Sequence, residues 1–545
     1  MSALLDLFGY VTVVVHGLQL TAQTVLVGSI VYAQLIVASA RRDERAARDV
    51  SRVTVVAAIA TFAATSVAVT LNAVVLRDSL GLTWLEVAGA RFAIAGAVEA
   101  VAAALAIVLA ASGAVAMRRW RAPAWAVATI VVAASLASTH AAARLTDAGT
   151  MLAATAMHEA GAAVWLGALP CFRVMLGDDG ARAGCGFGRR FSAVAIAGVV
   201  LIAGGAAIFT WRYVGSVEAL YGTAYGVMAL AKAVLLALLL MLGLYNFRTL
   251  RRDADDPRAC RRVRHVVEAE MALGFAALMA AASITSLPPA TDLPDRLAWI
   301  DIRDAFHLQL PPLASPDHDR LALPALQRRL DREAAGSESR LQAYVPGSGI
   351  PPPRNAYDVA WSEYNHHWAG LVVLAMGVLA LLYRSGRAKW ARHWPLLFLA
   401  LAAFLLVRAD PEVWPLGDIG LVESLRDPEV LQHRLFVLVI AGFAIFEWRV
   451  RTGRARSRAL ARVFPALTGL GSVLLLGHAH ALGNVREEVL VEISHVSIAV
   501  LGIAAAVARW LEIDGAETEL HWPVGWIWPS CFVAVGLILL AYGEA

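Results

Sequence analysis

The sequence predicts an all-α integral membrane protein of about 14 transmembrane helices, with both termini on the outer side and a small outer cap between helices 8 and 9. Three observations carry that expectation. Hydrophobic residues make up 59% of the 545 residues and charged residues 17%, at a mean hydropathy of +0.62, which excludes an ordinary soluble domain. Apolar runs of roughly 20 residues, the length that crosses a bilayer's hydrocarbon core, recur along the chain. Arginines concentrate in every second loop, the pattern that marks the cytoplasmic side.

The runs lie near 9–38, 53–76, 84–116, 122–143, 149–172, 190–211, 223–247 and 264–286, then 363–383, 393–408, 430–448, 461–481, 487–509 and 523–542. The first has no basic leader and is followed at once by Arg41, Arg42, Arg45, Arg48 and Arg52, so it reads as a retained span and not a signal peptide. Arg118, Arg119 and Arg121 follow the third run, and Arg173, Arg182, Arg189 and Arg190 follow the fifth. Seven arginines between 248 and 264, four cations between 384 and 392, and "RVRTGRARSR" continue the alternation. The net charge of +4 therefore reflects topology: membrane lipid is an expected partner and nucleic acid is not.

The segment between the eighth and ninth runs divides the chain into an eight-helix region (1–287), a Pro-rich cap or linker (288–361) and a six-helix, histidine-rich region (362–545). Its prolines argue against long regular elements, while Trp299, Phe306 and Leu308 offer apolar surface for docking. Cys171, Cys185 and Cys260 fall on the cytoplasmic side and Cys531 in the cytoplasmic half of the last helix, where free thiols are expected.

Two motifs fail on their own geometry. His158-Glu159 opens like a zinc-protease H-E-x-x-H, but position 162 is Ala, so the second imidazole is missing. "GCGFGRR" at 184–190 lacks the preceding strand and following acidic residue of a dinucleotide loop. No catalytic residue emerges, and an enzyme is not expected.

Topology turns the histidines into a pattern. His16, His140 and His158 in the first region, and His366, His367, His433, His478, His480 and His495 in the second, all fall in outer halves of helices, and none falls at a helix centre or in an inner half. Polar groups at that depth are costly unless partnered or functional. Met151 shares a helix face with His158, two turns away, and Met157 lies beside it; Gln19 and Gln23 follow His16 on one face, as Glu488 and Glu492 precede His495. Imidazole with thioether and without thiolate suits copper, Cu(I) or Cu(II). Arg91 and Glu99, two turns apart in the third helix, read as members of structural ion pairs.

"HEAGAAVWLGALP", then "RRFSAVAIAGVVLIAGGAAIFTWRYVGSVEALYGTAYGVMALAKAVLLALLLMLGLYNFRTLRR" and "SITSLPPA", resemble the CopD/PcoD copper-resistance protein D family over roughly 150–290. The shared features are His158, Trp165-Leu166-Gly167, Phe191-Ser192, Tyr225-Gly226, Lys232, Asn246 and the Ser-Leu-Pro-Pro exit. "NHHWAG", "DPEVWPLG", "LQHRLFVLVIAGFAIFEWRVR" and "GHAHALGNVREE" look like the C-terminal extension of long members of that family. The resemblance implies a bacterial inner-membrane protein taking copper from the periplasm for import or delivery, with a CopC-like periplasmic carrier as partner. It assigns Lys232 and Asn246 structural or gating roles.

The metal-ligand candidates are then His158, His16, His140, Met151 and Met157 in the first region, and His366, His367, His433, His478, His480 and His495 in the second. The rival from another class is a haem b membrane cytochrome using outer histidine pairs as axial ligands. Covalent haem is excluded, since no C-x-x-C-H occurs. A third alternative is an assembly partner that binds no metal.

Overall fold

The apolar runs become helices, and where a run meets an arginine loop the local chemistry stops or starts them. The computed structural model describes residues 8–38, 44–139, 147–177, 182–253, 256–318, 321, 356–477, 485–518 and 523–544. In chain order its long helices are α1 (Phe8–Tyr32), α2 (Glu44–Leu80), α3 (Arg91–Ala111), α4 (Arg121–Ser138), α5 (Ala148–Ala162), α6 (Arg182–Phe209), α7 (Ala224–Arg252) and α8 (Pro257–Ile284). They continue as α9 (Ala356–Arg384), α10 (Leu396–Arg408), α11 (Pro428–Arg451), α12 (Val463–Leu475), α13 (Val485–Thr518) and α14 (Val524–Leu540). Among the described residues the structure is otherwise turns, short helices and one isolated bridge between Val413 and Ile419.

Asp427 caps α11 by accepting from the backbone N–H groups of Glu429 and Val430, satisfying two donors the first turn leaves open. Gly386 and Gly453, at φ +75° and +72°, follow α9 and α11 in the left-handed conformation that ends a helix cheaply only at glycine.

Among the described residues, eleven helices are long and apolar enough to cross a bilayer. The other three expected spans are present in shorter or broken form. Helix α10 has 13 residues and α14 has 17, while α5 passes through a π turn at Ala163–Gly167 into a separate helix, Leu169–Met175. Among the described residues, length and apolarity by themselves thus carry eleven of the expected 14 crossings.

The chain forms two compact units, Thr12–Gly215 with Leu235–Ser286, and Met1–Val11 with Ser216–Val234 and Leu287–Ala545. In the first, α2 packs on α3, α3 on α4 and α5 on α6. The α5–α6 contact is backbone to backbone: a Cβ on Gly161 would stand 2.6 Å from the Gly198 carbonyl oxygen. Small residues are what lets apolar helices approach so closely where no hydrophobic effect drives them together.

In the second unit the six long helices close a ring, α9–α14–α13–α12–α11–α10 and back to α9. Its axis is filled by aromatic rings, Trp394, Phe398, Phe443, Phe464, Trp528 and Phe532, all buried. Gly536 of α14 lies against α9 so tightly that a Cβ there would meet the Leu374 backbone at 2.5 and 2.7 Å. Gly536→Val is therefore expected to cost about 3 kcal/mol, at the upper end for overpacking because backbone cannot yield as a side chain does. A melting midpoint in detergent equal to that of the wild type would contradict this packing.

The segment after α8 docks differently from expectation. Leu297, Ile302 and Ala305, with Phe306, pack on Val489 and Leu490 of α13. Leu308 is 67% exposed, and Trp299, 61% exposed, only edges the Tyr221 ring at 5.8 Å. The remainder of the expected cap, residues 322–355, lies outside the described residues. Cys171 and Cys531 are free and buried, whereas Cys260 is disulfide-bonded. That corrects the expectation of a free thiol there: compartment sets a tendency, but spatial proximity in the fold decides which sulfurs meet.

Candidate functional site

Opposite the arginine-rich ends of the second unit, five helix ends bring together a cluster of imidazoles and carboxyl groups. Helix α9 supplies Ser362, Glu363, His366 and His367; the turn after α10 supplies Asp410; α11 supplies His433; α13 supplies His495; and the residues after α14 supply Tyr542 and Glu544. The tight α9–α14 contact places residues 541–544 over the first turns of α9. The Tyr542 ring stacks on His366 at 3.8 Å, and His366 meets His495 edge to face at 5.8 Å. His433 is close enough to act electrostatically on both of those rings. Glu544 accepts short hydrogen bonds from the Ser362 and Tyr542 hydroxyls, and its backbone N–H donates to Glu363 Oε1 at 3.3 Å.

The hydrogen bonds fix which nitrogen of each ring carries the proton. His366 Nδ1 lies 2.8 Å from the Ser362 carbonyl oxygen, His495 Nδ1 lies 2.9 Å from that of Val491, and His433 Nδ1 lies 2.7 Å from Asp410 Oδ1. Each Nδ1 must donate, so the lone pair in the neutral ring sits on Nε2. An imidazole anchored at one nitrogen by a carbonyl or carboxylate is the arrangement that orients a metal-ligating histidine and raises its basicity. His367 is reversed: its Nε2 donates to the Tyr542 carbonyl at 3.0 Å, and it is only 3% exposed, holding α9 to the segment after α14.

The neighbouring segments are locked by arginines. Arg434 donates to the carbonyls of Leu406 and Trp414, and Arg408 donates to Asn365 Oδ1 at 3.1 Å while lying over the Trp361 ring. These bonds carry Asp410 to His433. His318, expected in the cap, donates to the Pro411 carbonyl at 2.8 Å, beside Asp410.

In the first unit His158 donates from Nδ1 to the Ile202 carbonyl at 3.2 Å and meets the Phe209 edge at 5.6 Å, both on α6. Met157 also faces α6, where a Cβ on Gly204 would meet its methyl at 2.7 Å; Met151 is buried at 1% exposure, and His16 lies on α1. His140, His478 and His480 lie outside the described residues. Among the described residues, no three His, Cys, Asp or Glu groups converge on one metal-sized point.

What the first unit does assemble is a polar ladder across five helices, which position along the chain does not disclose. Gln19 of α1 donates to Glu99 Oε2 of α3 at 2.9 Å and to Thr65 of α2 at 3.3 Å. Gln23, one turn on, donates to Ser135 of α4 at 3.1 Å, and Ser135 donates to Glu159 of α5 at 3.2 Å. Glu99 thus has an amide partner where the sequence suggested an ion pair. The usable signal was the high cost of each intramembrane carboxyl, which implies that such groups find one another.

Residues 186–284, spanning most of α6 with all of α7 and α8, match the family described as Copper resistance protein D. These residues resemble a CopD domain. No curated protein and no solved structure matches the chain. Within the matched residues Gly243 leaves room for two groups to meet, since a Cβ there would touch Glu270 Oε1 at 3.3 Å and the Trp165 ring at 3.4 Å. The Asn246 amide faces that Glu270 carboxyl, and both residues are buried. His158 precedes the matched residues in sequence and packs on their first helix, while the clustered histidines of the second unit follow them. The matched family is named for copper resistance, and the helices around the matched residues are long and apolar enough to cross a membrane. Haem finds no support in the comparisons.

Proposed function

We propose that this protein takes copper from the periplasmic face of a bacterial inner membrane, holds it at histidine sites and passes it on by import or delivery. In this reading all 14 helices cross the membrane, the arginine-rich loops face the cytoplasm and both termini face the periplasm. Copper enters the second unit at His366, His433 and His495; His158, with Met157, Met151 and His16, forms a separate holding point in the first. A CopC-like carrier is the natural source, and no covalent chemistry is required.

The observation that carries this reading is the set of three imidazoles, from three helices, each anchored at Nδ1 and each keeping its lone pair on Nε2. Two imidazoles sharing one ion stand with ring centres about 5 to 6 Å apart, and the His366–His495 separation is 5.8 Å. The similarity of residues 186–284 to a copper-resistance family supports copper as the ion. The test is metal content and the visible spectrum of purified protein, followed by copper loading of right-side-out and inside-out vesicles. Stoichiometric copper, no reducible Soret band and faster loading from the periplasmic face are expected. A Soret band with one haem per chain, or faster loading from the cytoplasmic face, would overturn the reading.

A further inference from the structure

At the arginine-rich end of the second unit, α9, α11 and α14 enclose a cleft of about 420 Å³ lined by Ala380, Tyr383, Arg384, Arg451, Trp526 and Trp528. Three guanidinium groups meet two carboxylates behind it. Glu447 Oε1 accepts from Arg451 Nε at 2.6 Å and Arg509 Nη2 at 3.1 Å. Glu512 accepts a short bond from Arg384, and bonds of 2.8 Å each from Arg509 Nη1 and Trp528 Nε1. Even with both carboxylates fully shared, one positive charge remains among these residues. Arg451 Nη2 is buried and has no hydrogen-bond partner among the described residues. A buried, unused N–H on a guanidinium is costly unless an acceptor arrives.

The surroundings select the kind of acceptor. Arg384 lies over the Trp526 ring at 5.6 Å and Arg451 over the Trp528 ring at 5.3 Å, so the donors are held with their edges toward the cleft. Trp526 is 45% exposed, as an indole at headgroup level would be. The flanking loops carry Arg387, Lys389, Arg392, Arg454, Arg456 and Arg458, which draw anions to this end. Guanidinium pairs match phosphate oxygens in geometry as well as charge.

We propose that this cleft binds a phosphate group, from an anionic phospholipid headgroup or from a soluble phosphate, between Arg384 and Arg451. Arg384 is the partly exposed, adjustable arm and Arg451 the fixed one. The Arg384 guanidinium passes directly over Gly525, where any Cβ would displace it, so the site can be disturbed without removing charge.

The experiment uses the full-length protein purified in a neutral detergent and exchanged into phosphatidylcholine vesicles, with or without phosphatidylglycerol. Bound lipid is counted by native mass spectrometry, and tryptophan emission is followed on adding inorganic phosphate to the phosphatidylcholine sample. Retention of phosphatidylglycerol that falls roughly tenfold in Arg384→Gln and in Gly525→Ala, as for loss of one charge-assisted contact, identifies a lipid site. A saturable emission change with inorganic phosphate, absent from the same variants, identifies a soluble phosphate. Retention and emission that are the same in wild type and both variants, with unchanged melting midpoints, would refute the site. Should either variant melt early, the other alone decides.

Discussion

His433→Ala and His495→Ala, each made alone, are expected to weaken copper binding by more than tenfold, because each removes a donor that three or four short bonds depend on. Asp410→Asn is expected to act through His433. The carboxylate accepts the Nδ1 proton of that ring at 2.7 Å, and loss of such a partner typically costs about 10- to 100-fold in metal affinity. Competition titration against a chromogenic chelator reads all three. His367→Gln serves as the contrast, since its ring is turned to the Tyr542 carbonyl and its loss should lower stability more than affinity. Unchanged copper affinity in both His433→Ala and His495→Ala would remove the second unit from the copper reading.

Glu447→Ala is expected to be the most destabilising single change in the second unit. The carboxyl is completely buried and takes bonds from both Arg451 and Arg509, themselves 14% and 8% exposed at the side chain. Removing it strands the Arg451 guanidinium in a low-dielectric interior and leaves Arg509 with Glu512 alone, which costs about 3–5 kcal/mol for breaking a buried pair from one side. Thermal unfolding of detergent-purified protein at a fixed scan rate should show a midpoint lowered by several degrees, together with poorer recovery from membranes. A midpoint within a degree of wild type would mean that water reaches this network.

The helices were legible in the sequence because apolar length and loop charge report directly on the bilayer. So was the gathering of His366, His433 and His495 at one end, since each lies a few residues inside its own helix. Asp410, Tyr542 and Glu544 were not legible. They sit just beyond helix ends, and whether they reach a histidine depends on which helix neighbours which, a matter set by contacts such as Gly536 on Leu374. Periodicity likewise puts Gln19 and Glu99 on faces of their helices but cannot say that α1 and α3 turn those faces toward each other. Composition also does not disclose how many turns a run forms: α10 and α14, counted among the spans, have 13 and 17 helical residues.

The spacing along the ring of helices has one more consequence. His366 and Arg384 are 18 residues apart on α9, and His433 and Arg451 are 18 apart on α11. Eighteen residues make five full turns, about 27 Å, so one stripe of each helix carries an imidazole at one end and a guanidinium at the other. Between them the stripe faces the aromatic rings of the axis. That filling makes the bundle an electrical insulator: an ion stripped of its ligands and pushed along the axis would meet a Born cost on the order of 20 kcal/mol. On the proposed copper reading, the second unit would then act as a reservoir with one mouth, filled and emptied through the face that bears the histidines.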